Sequence, residues 1–150
     1  MIRPARLTDR GAIIRLLREA NGNLGKVTGF VVPFDPAYAA RLFIVHMDNS
    51  AALALVHDIE GAARGVLLAA VADDHPFGPV RYAKETLFWI DPAHRGGTAA
   101  FRLIDSFDQW WRDLGCSYGF LAGMGDDPLI AKFYERLGYR RAETHFLKAA

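Results

Sequence analysis

The stretch Glu85–Leu114, ETLFWIDPAHRGGTAAFRLIDSFDQWWRDL, decides how the chain is read. It opens as a strand, because Thr86 to Ile90 is a β-branched and aromatic run. Asp91-Pro92 ends that strand, since proline gives no N–H to a sheet and restricts the residue before it. The turn His94-Arg95-Gly96-Gly97-Thr98 follows, and a helix starts near Thr98 or Ala99. Phe101, Ile104, Phe107, Trp111 and Leu114 recur at spacings of three and four and share one helical face. Gly115 supplies the stop.

A strand, a glycine turn and a helix together favour an anion. The first N–H groups of a helix have no internal partner, and the helix dipole favours negative charge there by about 0.3–1 kcal/mol. Arg95 adds a forked donor suited to phosphate. Residues 95–100 are therefore expected to hold a phosphorylated ligand. The alternative is an ordinary strand-to-helix turn with an exposed arginine.

Outward from this stretch, Ile2 to Leu7 reads as a short strand, with Pro4 tolerable only at an edge or bulge. Thr8 or Asp9 caps a helix whose buried face is Ile13, Leu16, Leu17 and Ala20. The glycines and asparagines of Asn21 to Gly29 predict a loop, continued by the apolar Phe30 to Phe34. Asp35-Pro36 starts a second helix as N-cap and first residue, with Tyr38, Leu42, Phe43 and Val45 or His46 inward. Ala51–His57 and Gly65–Val71 read as a hairpin turning at Glu60-Gly61. Asp73 to Pro79 is a loop, and Val80 to Ile90 a long strand. Cys116 to Ala122 is a further strand, with Cys116 a small buried apolar residue on it. Asp127 caps a last helix with Pro128 in its first turn; Ile130, Phe133, Tyr134 and Leu137 share a face and Gly138 ends it. Tyr139 to Lys148 alternates and reads as a final strand. The predicted order is βααβββαβαβ: an α/β (α+β) chain with a mixed twisted sheet of about six strands and about four helices.

Two motifs in that order resemble one family. Ile90-Asp91-Pro92-Ala93-His94-Arg95-Gly96-Gly97 resembles the VxPxxRGxG pyrophosphate loop of the GCN5-related N-acetyltransferases, the GNAT superfamily. Counted from Arg95, Thr98 stands where the pattern has glycine and Ala100 fits its sixth place. Asp127 to Tyr139, DPLIAKFYERLGY, resembles the family's NxxAxxxYEKxGF, with Asp127 in place of asparagine and Tyr134 on the family's tyrosine. The resemblance runs end to end. It implies one N-acetyltransferase domain over residues 1–150, transferring an acetyl group from acetyl-CoA to a primary amine by direct attack in a ternary complex.

By that resemblance, the backbone of Arg95, Gly96, Gly97, Thr98, Ala99 and Ala100 holds the pyrophosphate, with Arg95 assisting. The backbone of Phe88, Trp89 and Ile90 pairs with the pantetheine arm, and Asp127 adds charge near the cofactor. An amine of pKa about 10.4 must lose a proton, and a carboxylate is suited to take it. Glu85 is the candidate base, in a strand that often bulges in the family; the alternative is a solvent-facing or salt-bridged glutamate beside Lys84. Asp73, Asp74 and His75 are weaker candidates, and His94 suits a phosphate contact better than a base. Tyr134 is the candidate acid for the leaving thiolate; the alternative is a tyrosine packed in the core.

Composition narrows the classes. The chain has 150 residues, 51% hydrophobic and 23% charged, with a formal net charge of +1, so no bulk field draws it to nucleic acid or a membrane. One cysteine excludes an internal disulfide and a four-cysteine zinc site, and no spacing supports a metal. No signal peptide and no apolar run of about 18 residues appears, so the expectation is a soluble, cytoplasmic protein. Of Trp110 and Trp111, one belongs in the core and the other marks a candidate homodimer contact. A non-catalytic acyl-CoA-binding or regulatory module is the second functional reading, kept open by Thr98 and Asp127. The acceptor amine is not specified by the sequence.

Overall fold

A computed structural model describes residues 1–150. Its strands are β1 (Ile2–Pro4), β2 (Ala52–Ile59), β3 (Ala62–Ala72), β4 (Tyr82–Ile90) and β5 (Tyr118–Phe120). Its helices are α1 (Arg10–Thr28), α2 (Pro36–Asp48), α3 (Ala99–Asp113) and α4 (Pro128–Arg136). One mixed sheet runs β1-β2-β3-β4-β5, antiparallel up to β4 and parallel between β4 and β5. The parallel step requires a crossover, and α3 supplies it. Pro4 sits on the edge strand, where its missing N–H costs no ladder bond.

Two apolar layers sandwich the sheet. On one side α1 and α2 pack Ile13, Leu16, Ala20 and Phe43 against Val56, Val66, Leu68 and Trp89. On the other, α3 packs Leu103 and Phe107 against Leu55, Leu67, Ala83 and Ile90. Each fully buried large side chain contributes about 1.5–3 kcal/mol. A buried ionic cluster closes the β1 end: Arg3 forks onto Asp9 at 2.7 and 2.9 Å and reaches Asp58 at 2.6 Å. The guanidinium holds the Asp9 carboxyl below the usual carboxylate range.

β4 carries an irregularity that organises the site. Leu68 pairs with Leu87, but the next residue, Ala69, pairs with Glu85. Thr86 is the extra residue of a β-bulge. Ala83, Phe88 and Ile90 belong to the α3 layer, while Leu87 and Trp89 belong to the α1/α2 layer. Thr86 Oγ1 lies 2.8 Å from Nε2 of the buried His46 on α2.

Several expectations need correction. The sheet has five strands, because residues 139–150 form none. Their alternation sets Ala142, Thr144 and Phe146 against charged neighbours, and β5 offers a template only three residues long. Phe146 is left 95% exposed. Asn21–Gly29 is no loop: α1 continues to Thr28 and ends at Gly29 in a left-handed cap. Each internal glycine costs about 1 kcal/mol, but this turn docks elsewhere. Asn23 Nδ2 donates to Met124 Sδ at 3.4 Å, and Val27 packs beside Gly125.

On α2, Phe43 and His46 are buried as expected, but Tyr38 and Val45 face solvent and Ala39 and Ala40 are buried with them. Phe101 is exposed and Leu103 takes its place inward. Cys116 is buried as expected but precedes β5, which is shorter than Cys116–Ala122. Asp9 gives its carboxylate to Arg3 and the Arg6 N–H rather than capping α1. Neither indole is fully in the core: Trp110 and Trp111 are both half-buried against the α3 layer.

Candidate active site

The site begins where β4 and β5 part. They pair only from Tyr82↔Tyr118 to Lys84↔Phe120, so the β5-side edge of β4 from Thr86 onward has no strand beside it. Within the paired segment, Gly119 lies against α3, where a Cβ would meet Trp111 Nε1 at 2.7 Å, so only glycine permits that approach. Trp111 is itself held by donating to Asp108 Oδ1 at 3.1 Å.

Glu85 sits at the apex of the gap. Its Oε2 accepts from the Ala122 N–H at 2.9 Å, and the Phe88 N–H is a weaker second donor. Burial nevertheless dominates and pushes the carboxyl up to about 7, the two N–H groups pulling the other way. Tyr134 arrives from α4, whose start is set by Asp127: its carboxylate accepts from the Leu129 N–H at 2.9 Å, with Pro128 in the first turn. The Tyr134 hydroxyl donates to the Ala122 carbonyl at 2.8 Å. Burial, then the Glu85 charge, raises its pKa well above the ordinary phenol range, so it keeps its proton. One peptide residue, Ala122, thus carries a carboxyl on its N–H and a phenol on its carbonyl. Sequence reasoning did not single out Ala122, and no side-chain signal identifies a residue that acts through its backbone.

At the far end of β4, Asp91 caps a turn of 3-10 helix, Pro92–His94, and accepts from the Ala93 N–H at 3.1 Å. Gly96 then takes φ 90°, a conformation that costs a side-chain-bearing residue about 1–3 kcal/mol. α3 starts at Ala99, and Thr98 makes no side-chain cap, so the first N–H groups of α3 remain available to a ligand. Burial holds the His57 imidazole below its usual range; the Met1 ammonium, His94 and Arg102 push it the same way and Asp58 opposes them. A groove of about 270 Å³ between α3 and α4 is lined by Phe101, Ile104, Asp105, Asp108, Arg136 and Leu137.

A model of the acetyltransferase (GNAT) family matches residues 15–139, which is most of the chain. The chain belongs to the GNAT acetyltransferase family. Solved structures agree on the fold. A mutant form of a Bacillus halodurans protein superposes with a TM-score of 0.86 at 15% identity, covering 100% of this chain and 99% of that one. Glucosamine-6-phosphate N-acetyltransferase from Arabidopsis thaliana gives 0.75 at 16% identity over 99% and 97% of the two chains. Ribosomal-protein-alanine N-acetyltransferase from Brucella melitensis biovar Abortus 2308 gives 0.71 at 20%, covering 100% and 99%. No protein of curated function matches the sequence.

Within this GNAT chain the structure brings Glu85 and Tyr134 together on Ala122. It also gives two expected ligand contacts other partners. Arg95 folds back, its Nε donating to the Ile90 carbonyl at 2.9 Å and its guanidinium 4.4 Å from the Trp89 ring. The Trp89 side chain points into the α1/α2 layer, with Nε1 3.4 Å from Glu19 Oε2. Asp127 spends its carboxylate on the α4 cap. Asp73 is engaged by Arg81 at 3.3 Å and Asp74 by the Tyr82 hydroxyl at 2.6 Å. No group of three or more His, Cys, Asp or Glu side chains is placed to hold a metal ion. No helix is long and apolar enough to cross a membrane.

Proposed function

We propose that residues 1–150 form one acetyl-CoA-dependent N-acetyltransferase domain, acting on a primary amine in a ternary complex. The observation that carries this reading is the Glu85–Ala122–Tyr134 cluster at the apex of the β4–β5 gap. The strand that bears Glu85 leads directly into the glycine loop. A carboxyl near 7 and a protonated phenol are the two proton-handling groups that amide formation from a thioester needs.

The residues divide the work. The N–H groups of Gly96 to Ala100, at the uncapped start of α3, bind the pyrophosphate. The unpaired edge of Phe88, Trp89 and Ile90 supplies backbone partners for the pantetheine amides. This fit needs no side chain from the loop, which agrees with Arg95 being turned onto Ile90. Arg95 then steadies the loop through the Ile90 carbonyl and the Trp89 ring. The amine nitrogen attacks the thioester carbon while Glu85, ionised, takes the amine proton directly or through a water. The carbon–sulfur bond breaks and Tyr134 gives its proton to the departing sulfur. In the apex geometry both groups are anchored to the backbone of one residue, Ala122, which limits their separation before substrate arrives.

Isothermal titration with acetyl-CoA, followed by thiol release in the presence of primary amines, tests the reading. Submicromolar to micromolar binding with amine-dependent release of CoA supports it. Binding without any transfer instead favours the acyl-CoA-binding module, and no binding removes both.

A further inference from the structure

One side-chain contact reaches from α2 to the bulge in β4. Thr86, the extra residue, has no register partner on β3, and β5 stops pairing at Lys84, so no strand residue faces it on the other side either. The ladder therefore does not set how this residue turns. Its side chain does: Thr86 Oγ1 lies 2.8 Å from His46 Nε2. His46 is only 6% exposed, whereas Thr86 is open to solvent. α2 packs mainly over β2 and β3, and this bond is its one hydrogen bond to β4.

The imidazole can hold Thr86 because its own direction is fixed. His46 Nδ1 lies 2.8 Å from the Leu42 carbonyl, one turn back along α2. A carbonyl oxygen only accepts, which assigns the proton to Nδ1. In the neutral ring Nε2 is then the acceptor, and the Thr86 hydroxyl donates to it. A β-branched side chain has few χ1 positions, so holding Oγ1 also restrains the Thr86 backbone. The series Leu42–His46–Thr86 thus links a packed helix to the residue of β4 that the sheet leaves without a partner.

Glu85 is bonded directly to that residue. Up to the bulge Ala83 belongs to the α3 layer, and past it Leu87 and Trp89 belong to the other. The Glu85 carboxyl is held at its tip by the Ala122 N–H at 2.9 Å and more weakly by the Phe88 N–H. Its other end, the Cα, is set by the turn of the bulge. We propose, building on the N-acetyltransferase reading, that His46 is a positioning residue for the transfer: through Thr86 it pins the bulge and so holds the Glu85 carboxyl in the gap. His46 touches no substrate and takes no proton from the amine. When the pantetheine arm takes the strand edge at Phe88, Glu85 loses its weaker donor, and the pinned bulge and the Ala122 N–H keep the carboxylate in place.

The test removes the bond and keeps the shape. Thr86→Val deletes the hydroxyl from an exposed residue and retains the β-branch, so the strand is kept. Thr86→Ser keeps the hydroxyl, and His46→Leu removes the ring nitrogens; if His46→Leu does not fold, the two Thr86 variants decide. Each is assayed for acetyl-CoA binding and for transfer to the primary amine that releases most CoA from the wild type. In Thr86→Val and His46→Leu alike kcat falls about 10–100-fold, with the acetyl-CoA Kd changed by no more than about twofold. Thr86→Ser stays close to the wild type, and the double variant is no worse than either single one, because both substitutions remove the same bond. Carbon NMR of the labelled Glu85 carboxyl, assigned with Glu85→Gln, gives a readout that needs no amine. Its ionisation midpoint, about 7 in the wild type, falls in both variants toward the ordinary glutamate value of about 4.3, as a carboxyl released from the gap regains water. A bond that serves the fold alone lowers the denaturant midpoint and leaves kcat and the Glu85 midpoint where they were. That result overturns the positioning role, as do losses that add in the double variant or a loss that Thr86→Ser shares. If acetyl-CoA binds but no primary amine releases CoA from the wild type, the N-acetyltransferase reading itself fails and takes this role with it.

Discussion

The apex of the β4–β5 gap and the glycine loop lie at opposite ends of the same strand half, and they are built by opposite means. At the apex, two side chains from β4 and α4 are held on the backbone of one residue, Ala122, by hydrogen bonds of 2.9 and 2.8 Å. At the loop, the groups offered to a ligand are backbone N–H groups, and the nearest forked side chain is turned away onto Ile90. In the proposed reaction, proton transfer needs specific functional groups at specific pKa values, so the apex would depend on identity. Anion binding at a helix start needs only conformation, so the loop would depend on φ and ψ. Substitutions should therefore act on rate at one end and on cofactor affinity at the other.

The largest break in that contrast is Glu85→Gln. It removes the proposed proton acceptor and keeps the shape, and kcat should fall roughly 10²–10⁴-fold with the acetyl-CoA Kd nearly unchanged. A matching loss of affinity would mean Glu85 serves the fold of the gap rather than the chemistry. In the wild type, kcat/KM should rise with pH and level off above about 7, as Glu85 ionises. Stability should move oppositely. Native Glu85 keeps its proton up to about 7, whereas an unfolded glutamate releases it near about 4.3. The native state thus holds more protons between those values, and this group's contribution to stability declines as pH rises through that window. In Glu85→Gln both dependences should vanish, by rate profile and by denaturant midpoint.

Tyr134→Phe should be next, at about 10²-fold in kcat. The defect should be smaller for acyl donors with a more acidic thiol, which leave without a proton. A loss independent of the leaving group would assign Tyr134 to holding Ala122 in place. At the loop, Gly96→Val forces a β-branched residue to φ 90° and should weaken acetyl-CoA about tenfold or more, with kcat at saturation retained. Arg95→Ala should be the mildest, only a few-fold in Kd, read by titration. A change of a hundredfold would overturn the view that the loop binds through its backbone.

The two regions also differed in how far the sequence revealed them. The loop was legible because local chemistry writes it: Asp91-Pro92 ends the strand, paired glycines make the turn, and an amphipathic helix follows. Asp127-Pro128 opened α4 for the same reason, and Asp35-Pro36 opened α2. Glu85 and Tyr134 were readable as candidates, but their meeting point was not. It depends on where two distant strands part and on a backbone that carries no residue-type signal. The continuation of α1 through Gly22 and Gly25 was hidden likewise, because its partners, Met124 and Gly125, are a hundred residues away. The final strand failed in the other direction. Alternation is a local property, but a strand exists only where a neighbour of sufficient length receives it.

The bulge at Thr86 changes the parity of β4. Before it, odd-numbered residues look toward α3; after it, even-numbered ones do. A strand of strict alternation would place Glu85 and Trp89 on one face, so a proton acceptor and a core indole would compete for the same layer. With one residue inserted, the two halves of the strand answer to different demands. The first half can be fitted to the gap and the second to the core without disturbing each other. Deleting that single residue would therefore exchange inside for outside over half the strand, and no point substitution could restore both.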